Sequence, residues 1–487
     1  AYGASTWGQF FVYQGFNPKI GWMHTSSGVD SVDEFAETVV ARGSGYRYRY
    51  GAASRKVESR AVAIQVRQPD GRMAPRRFTT LRTHHGPIVA KRDGKWIATA
   101  LMWRPVPALE QSWLRTKTTD LASFMQVSAR QANSSNATIL ADAKGEIAYL
   151  HPQFVPRRDD RFDYTRPVDG ADPATDWKGI HPPATLPQVV TPPAGYVANT
   201  NNWPWTAAGA DSPKAADFPK YMDTAGENAR GIHAGLLLNG RRDFTPERLM
   251  AAAYDSYLPA FATLIPQLID AYEALPAADP RRTSLAAPIA LLQSWDYRWS
   301  AESRATALAV FWGDALWRDV GALAKTARLN VPDFIATRVS ADTKLAGLAA
   351  AVATLRRDFG DWRVPWGRIN RFQRLANTIE PRFDDRAPSV AVPFTSAQWG
   401  SLASFGARTY PGTRNYYGTS GNSFVAVVSF GATPKAWAVM AGGQSGDAAS
   451  PHFADQIERY AGGRLRPIYL TQQDLVGHVE RTYQVGE

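Results

Sequence analysis

The sequence predicts an α+β fold in which a sheet-based core is interrupted by a helical insertion. Strand-like segments separated by turn formers occupy about residues 35–105, helical periodicity dominates residues 244–357, and strand-like segments return after residue 388. Because the two strand-rich parts flank the helical part, we expect them to share one core. The predicted divisions are residues 1–243 for the first part of the core, 244–357 for the insertion, and 358–487 for the C-terminal strands.

Local patterns justify the elements in order along the chain. Thr245-Pro246-Glu247 is a favourable helix start, with threonine as the cap and proline at the first helical position. Residues 156–220 are rich in Pro, Asp and Gly, and an ordered loop of that length in a compact protein is usually functional. The other predicted elements are strands at 61–66 and 86–90, a helix at 120–130, a hairpin pairing 137–141 with 147–150, helical runs at 249–272 and 345–355, and strands at 423–430 and 436–440.

Composition excludes several classes of protein. The chain has 487 residues, of which 44% are hydrophobic and 20% are charged, as in globular proteins with a sizeable core. The absence of cysteine excludes disulfides, thiolate metal sites and cysteine nucleophiles. No run of about 18 apolar residues predicts a membrane span, and the first residues do not have the pattern of a signal peptide.

The net charge of +11 does not by itself indicate a nucleic-acid partner. Basic residues are spread along the chain, and the stretch Tyr46–Tyr50 alternates tyrosine with arginine. An aromatic-basic surface for nucleic acid would have this composition. An edge strand with arginines on its solvent face explains it better, so no nucleic-acid partner is expected.

Familiar hydrolase signatures are missing. The chain has no G-x-S-x-G elbow, and its eight histidines do not form H-E-x-x-H. A Ser-His-Asp triad stays open, because such triads assemble from positions distant in sequence.

Five groups of residues occur in one order along most of the chain. Within Gly3–Glu37, small and polar residues alternate with bulky apolar ones, as when backbone amides face a ligand. The later groups are Thr83-His84-His85-Gly86-Pro87, Gly145–Tyr149 with Asp176–Gly179 after it, Gly195–Asn202, and Gly443–Asp447. Together they resemble the large (β) subunit of penicillin acylases, which are N-terminal-nucleophile hydrolases.

The resemblance implies a four-layer αββα sandwich with a helical insertion. It also implies hydrolysis of an N-acyl amide, such as a penicillin, an N-acyl-homoserine lactone or a related acylated molecule, through an acyl-serine intermediate. In this family the serine lies a few dozen residues before the segment that resembles Gly3–Glu37, and Ala1 has no side-chain nucleophile. We therefore expect the nucleophile outside this chain, as in a large subunit that lacks its first few dozen residues.

The resemblance assigns catalytic roles to Ser26, Asn201 and Arg230. The backbone N–H of Ser26 and the side-chain amide of Asn201 would donate to the oxyanion, and the two are expected within about 8 Å of each other. Arg230 would orient the asparagine and the substrate. A polar turn with Asx hydrogen bonds remains the alternative for Asn201, and a surface arginine at a helix start remains the alternative for Arg230.

Four residues fall where the resemblance places the substrate. Tyr13, Gln14 and Trp103 correspond to walls of the acyl pocket. His24 lies beside the proposed oxyanion donor and is assigned to substrate binding, and a buried histidine bonded to backbone is favoured over a proton carrier. The acyl group itself stays open.

A structural calcium ion is the cofactor that the resemblance implies. Its ligands would be Asp30, the Val32 carbonyl and Asp33. Calcium takes six to eight oxygens, so further ligands are expected from the loop beyond residue 160, from Asp217 or Asp223, and from a small subunit. Two aspartates at a helix start are the alternative.

The expected partners are an N-acyl amide substrate and two pieces of the same precursor, the small subunit and the segment that carries the nucleophile. The expected location is the periplasm or the outside of the cell. A non-catalytic family member or fragment that binds an acylated ligand is the alternative function.

Overall fold

The structure, a computed structural model, describes residues 1–133 and 135–484. It divides into two compact units, Ala1–Ala225 and Gly226–Glu487. Each unit is described by itself below.

The first unit is built mainly from strands. Its two helices within the described residues are α1 (Pro105–Arg115) and α2 (Leu121–Ser128). Its strands are β1 (Tyr2–Ala4), β2 (Gln14–Phe16), β3 (Ile20–Ser26), β4 (Asp33–Glu37), β5 (Val39–Arg42), β6 (Gly45–Tyr50), β7 (Ala53–Lys56), β8 (Glu58–Arg67), β9 (Met73–Arg82), β10 (Ile88–Arg92), β11 (Lys95–Ala100), β12 (Asn136–Asp142), β13 (Ile147–Leu150), β14 (Val168–Asp169) and β15 (Val189–Val190).

Two sheets form the frame of the first unit. Within its described residues, one sheet has the order β1-β2-β3-β12-β13-β15 and the other has the order β10-β11-β4-β14. Strand β3 is central in the first sheet and pairs antiparallel with β12, with Ser26 opposite Asn136. The predicted hairpin over 137–150 is confirmed as β12 and β13.

The alternation of strand β3 explains how helix α2 is held. Ile20 and Trp22 are buried on one face of the strand, two residues apart, as strand geometry requires. They pack with Leu121 and Phe124 of α2 in one apolar cluster. The helix is fixed at its start by Asp120, whose carboxylate accepts a hydrogen bond from the backbone N–H of the third helical residue.

Strand β4 begins and ends with a buried carboxylate. Asp33 is 1% exposed and Glu37 is 0% exposed, whereas Phe35 between them packs in the apolar core of this sheet. Strand β14 pairs with β4 in parallel and β11 pairs with it antiparallel. Both acidic ends therefore lie beside backbone that is already paired.

Two small sheets complete the first unit. The stretch Tyr46–Tyr50 lies in β6, which is paired on both sides by β5 and β7, so the expected edge strand is a central one. Strands β8 and β9 pair over ten residues each and form a two-stranded ribbon without a buried side chain. The predicted strand at 61–66 belongs to this ribbon.

The predicted loop over 156–220 is confirmed as a tract with little regular structure. Besides β14 and β15, it contains short 3₁₀ turns at Pro173–Thr175, Pro183–Thr185, Pro204–Thr206, Gly209–Asp211, Ala215–Asp217 and Lys220–Met222.

The second unit begins with helices. They are α3 (Ala229–Leu238), α4 (Pro246–Ala253), α5 (Pro259–Glu273), α6 (Arg281–Ser284), α7 (Ala286–Gln293), α8 (Arg304–Thr326), α9 (Val331–Arg338), α10 (Ala341–Phe359), α11 (Trp366–Ile369) and α12 (Ile457–Ala461). Thr245 caps α4 as predicted. The predicted run 249–272 is two helices, because α4 ends at Ala253 and a proline starts α5 at Pro259.

Apolar faces of the long helices form the largest core of the second unit. Phe261 of α5, Trp312 of α8 and Leu348 of α10 are all fully buried there. The strands are β16 (Asn370–Phe372), β17 (Val390–Ala391), β18 (Phe405–Arg408), β19 (Tyr416–Gly421), β20 (Phe424–Ser429), β21 (Lys435–Met440) and β22 (Arg466–Pro467). Strands β20 and β21 confirm the predictions for 423–430 and 436–440 and pair antiparallel.

Candidate active site

Ser26 is the last residue of β3 and is exposed at the end of a strand whose preceding part is in the core. The chain leaves the sheet immediately afterwards, and the backbone N–H of Ser27 donates to the carbonyl of Ser135 at 2.9 Å. The backbone at Ser26 is therefore held by the sheet on one side and by this bond on the other.

Asn201 lies against Ser26, although 175 positions separate them in sequence. The side-chain Nδ2 of Asn201 donates to the backbone carbonyl of Ser26 at 3.3 Å. The backbone N and O of one residue are at most about 3.6 Å apart, so Nδ2 lies within about 7 Å of the Ser26 nitrogen. The expected distance of less than about 8 Å is met, and the catalytic roles of the two residues stay predictions.

The turn that carries Asn201 is ordered by its own side chains. Asn199 Oδ1 accepts from the Asn201 N–H at 3.0 Å, and Asn202 Oδ1 accepts from the Thr200 N–H at 2.9 Å. Asn201 has a φ of 63°, in the left-handed region that asparagine tolerates better than most residues. The Asx bonds of the alternative reading are thus present, and they aim the Asn201 amide at Ser26.

A chain of buried hydrogen bonds anchors the residue after Ser26. Ser27 Oγ donates to Gln153 Oε1 at 3.1 Å, and Gln153 Nε2 lies 2.9 Å from His151 Nδ1. Burial lowers the pKa of His151 to about 3, so the ring is neutral. Since Nδ1 accepts from the glutamine, Nε2 carries the proton and donates to Tyr149 Oη at 2.6 Å.

Sequence reasoning missed this anchor. His151 and Gln153 follow β13 two positions apart, and period-2 spacing would have placed them on one face. Nothing in the sequence indicates that this face meets Ser27.

The structure brings Tyr13 and His24 together. Their ring centroids are 4.9 Å apart, Tyr13 Oη donates to Asn136 Oδ1 at 2.6 Å, and His24 Nδ1 is 2.9 Å from Thr138 Oγ1. Burial and the nearby positive charge of Arg115 hold the pKa of His24 well below its usual range. His24 is therefore a neutral buried ring bonded to the Thr138 side chain, with a further hydrogen bond to the backbone of Ala137, and a contact with substrate stays a prediction.

Arg115 is a buried cation in this region that sequence reasoning did not identify. It ends helix α1 and is 3% exposed, and its guanidinium carbon lies 5.1 Å from the centroid of the Tyr13 ring. Burial lowers the pKa of Arg115 to about 10, so it stays charged at neutral pH. The positive charge makes protonation of His24 still less favourable.

The other predicted site residues are more scattered. Gln14 is partly buried in β2, and Trp103, just before α1, is 72% exposed. Arg230 belongs to the second unit, in the first turn of α3, and burial lowers the pKa of its guanidinium. The roles of these three residues stay predictions.

The two aspartates predicted to bind calcium already face a cation of the chain. Arg158 Nε is 2.7 Å from Asp33 Oδ2, and Arg158 Nη2 is 3.5 Å from Asp30 Oδ1. The arginine side chain is completely buried, with its guanidinium carbon 5.3 Å from the Tyr164 ring centroid and 4.9 Å from that of Tyr221. Burial raises the pKa of both aspartates, although Arg158 opposes this shift.

In this structure the cation that faces the two aspartates is Arg158, and the buried Asp33 Oδ1 has no hydrogen-bond partner among the described residues. Calcium is held by six to eight oxygens, whereas Asp33 Oδ2 already accepts from Arg158 and from Trp177 Nε1, the latter at 2.5 Å. The Val32 side chain between the aspartates is 53% exposed. Calcium bound by Asp30, Val32 and Asp33 stays a prediction, and it requires Arg158 to move away.

The second unit contains a separate surface groove of about 630 Å³. None of the predicted site residues lines it. Its lining residues are Asp314, Trp317, Arg318, Ser396, Gln398, Gly406, Ala407, Arg408, Thr419 and Ser420.

Known proteins resemble this chain over nearly all of its length. It is 25% identical to penicillin G acylase of Escherichia coli over 96% of this chain and 58% of that protein. It is 22% identical to the acyl-homoserine lactone acylase QuiP of Pseudomonas putida over 97% of this chain and 61% of that protein. The chain therefore spans about three fifths of the length of these two curated relatives.

The fold also has a known counterpart. A thermostable penicillin G acylase from Alcaligenes faecalis superposes with a TM-score of 0.68 at 20% identity, over 99% of this chain and 90% of that one. The predicted N-terminal-nucleophile hydrolase fold is confirmed by this match. Among the described residues, no helix combines the length and the hydropathy needed to cross a bilayer. The family model described as penicillin amidase matches residues 1–476, and the chain belongs to that family.

Proposed function

We propose that the complete protein hydrolyses an N-acyl amide through an acyl-serine intermediate. The proposal rests on family membership and on the names of the relatives, which are penicillin acylases and acyl-homoserine lactone acylases. The nucleophile would be a serine on a segment preceding the residues described here. Penicillins and N-acyl-homoserine lactones are the two substrate classes to try first.

The observation that carries the proposal is the contact between Asn201 and Ser26. In acyl transfer, negative charge develops on the carbonyl oxygen, and preorganised N–H donors stabilise it. The Asn201 amide, which lies 3.3 Å from the Ser26 carbonyl, and the Ser26 backbone N–H would supply two such donors from segments that are remote in sequence. For the amide to serve an oxyanion, its bond to the Ser26 carbonyl would give way to a bond to the substrate oxygen.

The complete protein would work with a small subunit and the nucleophile segment, all from one precursor, in the periplasm or outside the cell. Intact mass of the protein purified from its natural host tests the first point, and cell fractionation tests the second. A single unprocessed polypeptide confined to the cytoplasm would contradict both.

The mechanism is tested by paired substitutions in the complete protein. Asn201→Ala should lower kcat about 10²- to 10³-fold with KM little changed, because an oxyanion donor acts on the transition state. Asn199→Ala loosens the same turn but removes no donor to Ser26, so its loss should be smaller. Asn377→Ala, at an exposed position of the second unit, is the matched control and should leave kcat unchanged.

Two outcomes would change the assignment. If Asn199→Ala abolishes turnover while Asn201→Ala is nearly normal, the donor is Asn199 and Asn201 is only a turn residue. If the intact protein binds both substrate classes but hydrolyses neither, the non-catalytic alternative replaces the proposal.

A further inference from the structure

His84, His85 and Asp176 lie close together in the first unit, beside Glu37 at the end of strand β4. His85 Nε2 is 2.9 Å from Asp176 Oδ1, and His84 Nε2 is 3.6 Å from the same oxygen. The three ligand atoms lie within 4.8 Å of one another. The His84 and Asp176 side chains are 29% and 30% exposed, so the point where the three meet is open to solvent.

Each histidine is oriented by a partner on its other ring nitrogen. His85 Nδ1 is 2.8 Å from Glu37 Oε1, and His84 Nδ1 is 3.0 Å from Tyr48 Oη. A carboxylate or hydroxyl partner on Nδ1 directs the Nε2 lone pair outward, as is usual for metal-binding histidines. The His85 ring is further fixed by stacking on Phe35 with centroids 3.8 Å apart.

The charges in this cluster call for a cation. Glu37 is completely buried, and its second oxygen, Oε2, accepts no hydrogen bond within the described part of the chain. If neutral His85 donates from Nδ1 to Glu37, its Nε2 lone pair faces an acceptor, Asp176 Oδ1, at 2.9 Å. Two acceptors at that distance need a proton or a metal ion between them.

The geometry suits zinc. Zinc forms bonds of about 2.0–2.2 Å to histidine nitrogen and carboxylate oxygen in tetrahedral sites, which places ligand atoms about 3.3 Å apart. The Asp176 oxygen is 2.9 and 3.6 Å from the two histidine nitrogens, close to that spacing, and all three ligand atoms lie within 4.8 Å of one another.

We propose that His84 Nε2, His85 Nε2 and Asp176 Oδ1 bind one Zn²⁺ ion, with water in the fourth position. The ion would tie the turn before β10 to the loop after β14, two segments about 90 residues apart in sequence. Asp176 is followed by Trp177, whose indole holds Asp33, so zinc would stabilise the first unit rather than take part in amide hydrolysis.

The test uses the complete, untagged protein after treatment with a chelator. Titration with ZnCl₂ should show one tight site by calorimetry and a saturable rise in Tm, since binding stabilises only the folded state. Co²⁺ in place of zinc should give the intense visible absorption of tetrahedral coordination. His84→Ala should lower zinc affinity at least tenfold, and Glu37→Gln, which changes only the partner of His85, should lower it about 10- to 100-fold.

His181→Ala is the matched control, because this half-buried histidine binds Tyr221 elsewhere in the same unit and should leave zinc affinity unchanged. His84 is the preferred target, since its exposed ring can be removed with little risk to folding. The proposal is overturned if folded wild-type protein binds no zinc. It is also overturned if His84→Ala and His181→Ala bind zinc as tightly as wild type, or if cobalt shows only the weak absorption of octahedral coordination.

Discussion

The two ends of strand β4 solve the same electrostatic problem in different ways. At its start, buried Asp33 is paired with Arg158, a cation that belongs to the chain and is completely buried. At its end, buried Glu37 is paired with His85, whose other nitrogen faces Asp176 at a partly exposed position. The positive charge that faces Asp33 is always present, whereas a positive charge that faces Glu37 requires a proton or a metal ion.

The two ends of β4 therefore differ in their response to pH and to metal ions. A buried guanidinium keeps its charge at any pH the fold survives, so the Arg158 cluster does not depend on ions in solution. A histidine between carboxylates can exchange its proton for a metal ion. Five predictions follow, of which four test this comparison and one extends it to a carboxyl group of the second unit.

Arg158→Ala should cost about 3–5 kcal/mol of unfolding free energy, because it leaves Asp33 and Asp30 with an unpaired charge in the interior. Arg157→Ala, at the exposed neighbouring position, is the control and should cost less than about 1 kcal/mol. Urea unfolding of the two variants measures both values.

Wild type and the Arg158→Ala variant together test the prediction of a calcium site. Calcium added to zinc-free protein should leave the Tm of wild type unchanged, whereas it should raise the Tm of Arg158→Ala by entering the vacated space. If calcium raises the Tm of wild type instead, the calcium prediction holds and the fixed-cation reading of Arg158 fails.

Asp314 in the second unit is a half-buried carboxyl whose hydrogen-bond donors, Trp399 and Gln398, are neutral, with the positive charge of Arg318 nearby. Burial raises its pKa to about 6 from a usual value of 3.8, so its ionised form destabilises the fold and this contribution grows as the pH rises from about 4 to 6. Asp314→Asn should therefore stabilise the protein at pH 8 by about 1–3 kcal/mol. The gain should vanish at pH 4. A gain of equal size at both pH values would show that packing, not charge, is responsible.

Glu37→Gln should cost about 1 kcal/mol in zinc-free protein. The amide oxygen can still accept from Thr83 Oγ1 and His85 Nδ1, so only the charge-assisted part of these bonds is lost. Thermal unfolding in the presence of a chelator measures the change. A cost as large as that of Arg158→Ala would mean that both ends of β4 depend equally on fixed charge.

The two ends should also differ in the sign of their pH dependence. Burial raises the pKa of Asp176, but hydrogen bonds from Tyr50 and His85 outweigh it and the net shift is downward. The stability that Asp176 contributes is thus present above its unfolded pKa and is lost as the pH falls through its folded pKa. For Asp33, whose pKa is raised by burial, stability is lost as the pH rises.

Unfolding free energies between pH 7 and pH 2 measure these slopes, because the change for Asp176 lies below its usual pKa of 3.8 and the change for Asp33 lies above it. The stability of wild type relative to Asp176→Asn should shrink on acidification, and its stability relative to Asp33→Asn should grow. Slopes of the same sign would show that the two carboxylates share one electrostatic environment.

Local patterns predicted much of the fold. The hairpin of β12 and β13 was predictable because alternating residues flank a turn at Lys144-Gly145, where the glycine has a φ of 88°. The helix break before Pro259 was missed because apolar periodicity continues across it. The central position of β6 was missed because pairing on a second edge leaves no trace in the strand's own alternation.

The candidate site was only partly predictable. Family motifs indicated Ser26 and Asn201, and the structure puts them in contact. Arg158 could not be found this way, since its partner Asp33 is 125 positions away and an arginine in a loop rich in Asp and Pro normally faces solvent. His84 and His85 were identified as a motif, but Glu37 and Asp176 are brought to them only by tertiary structure.

The ribbon of β8 and β9 has a consequence for how the protein behaves in concentrated solution. Its ten-residue strands extend for about 34 Å. Apart from the bridge of Arg82 to Pro87, no strand among the described residues pairs with their outer edges, which could template pairing with another chain. Five arginines and Pro75 lie on these strands against one acidic residue, Glu58, and they surround the exposed apolar residues Ile64 and Phe78. Like charges of this density repel a second ribbon and proline interrupts its hydrogen bonds. The excess of arginine in this segment therefore acts as protection against edge-to-edge aggregation.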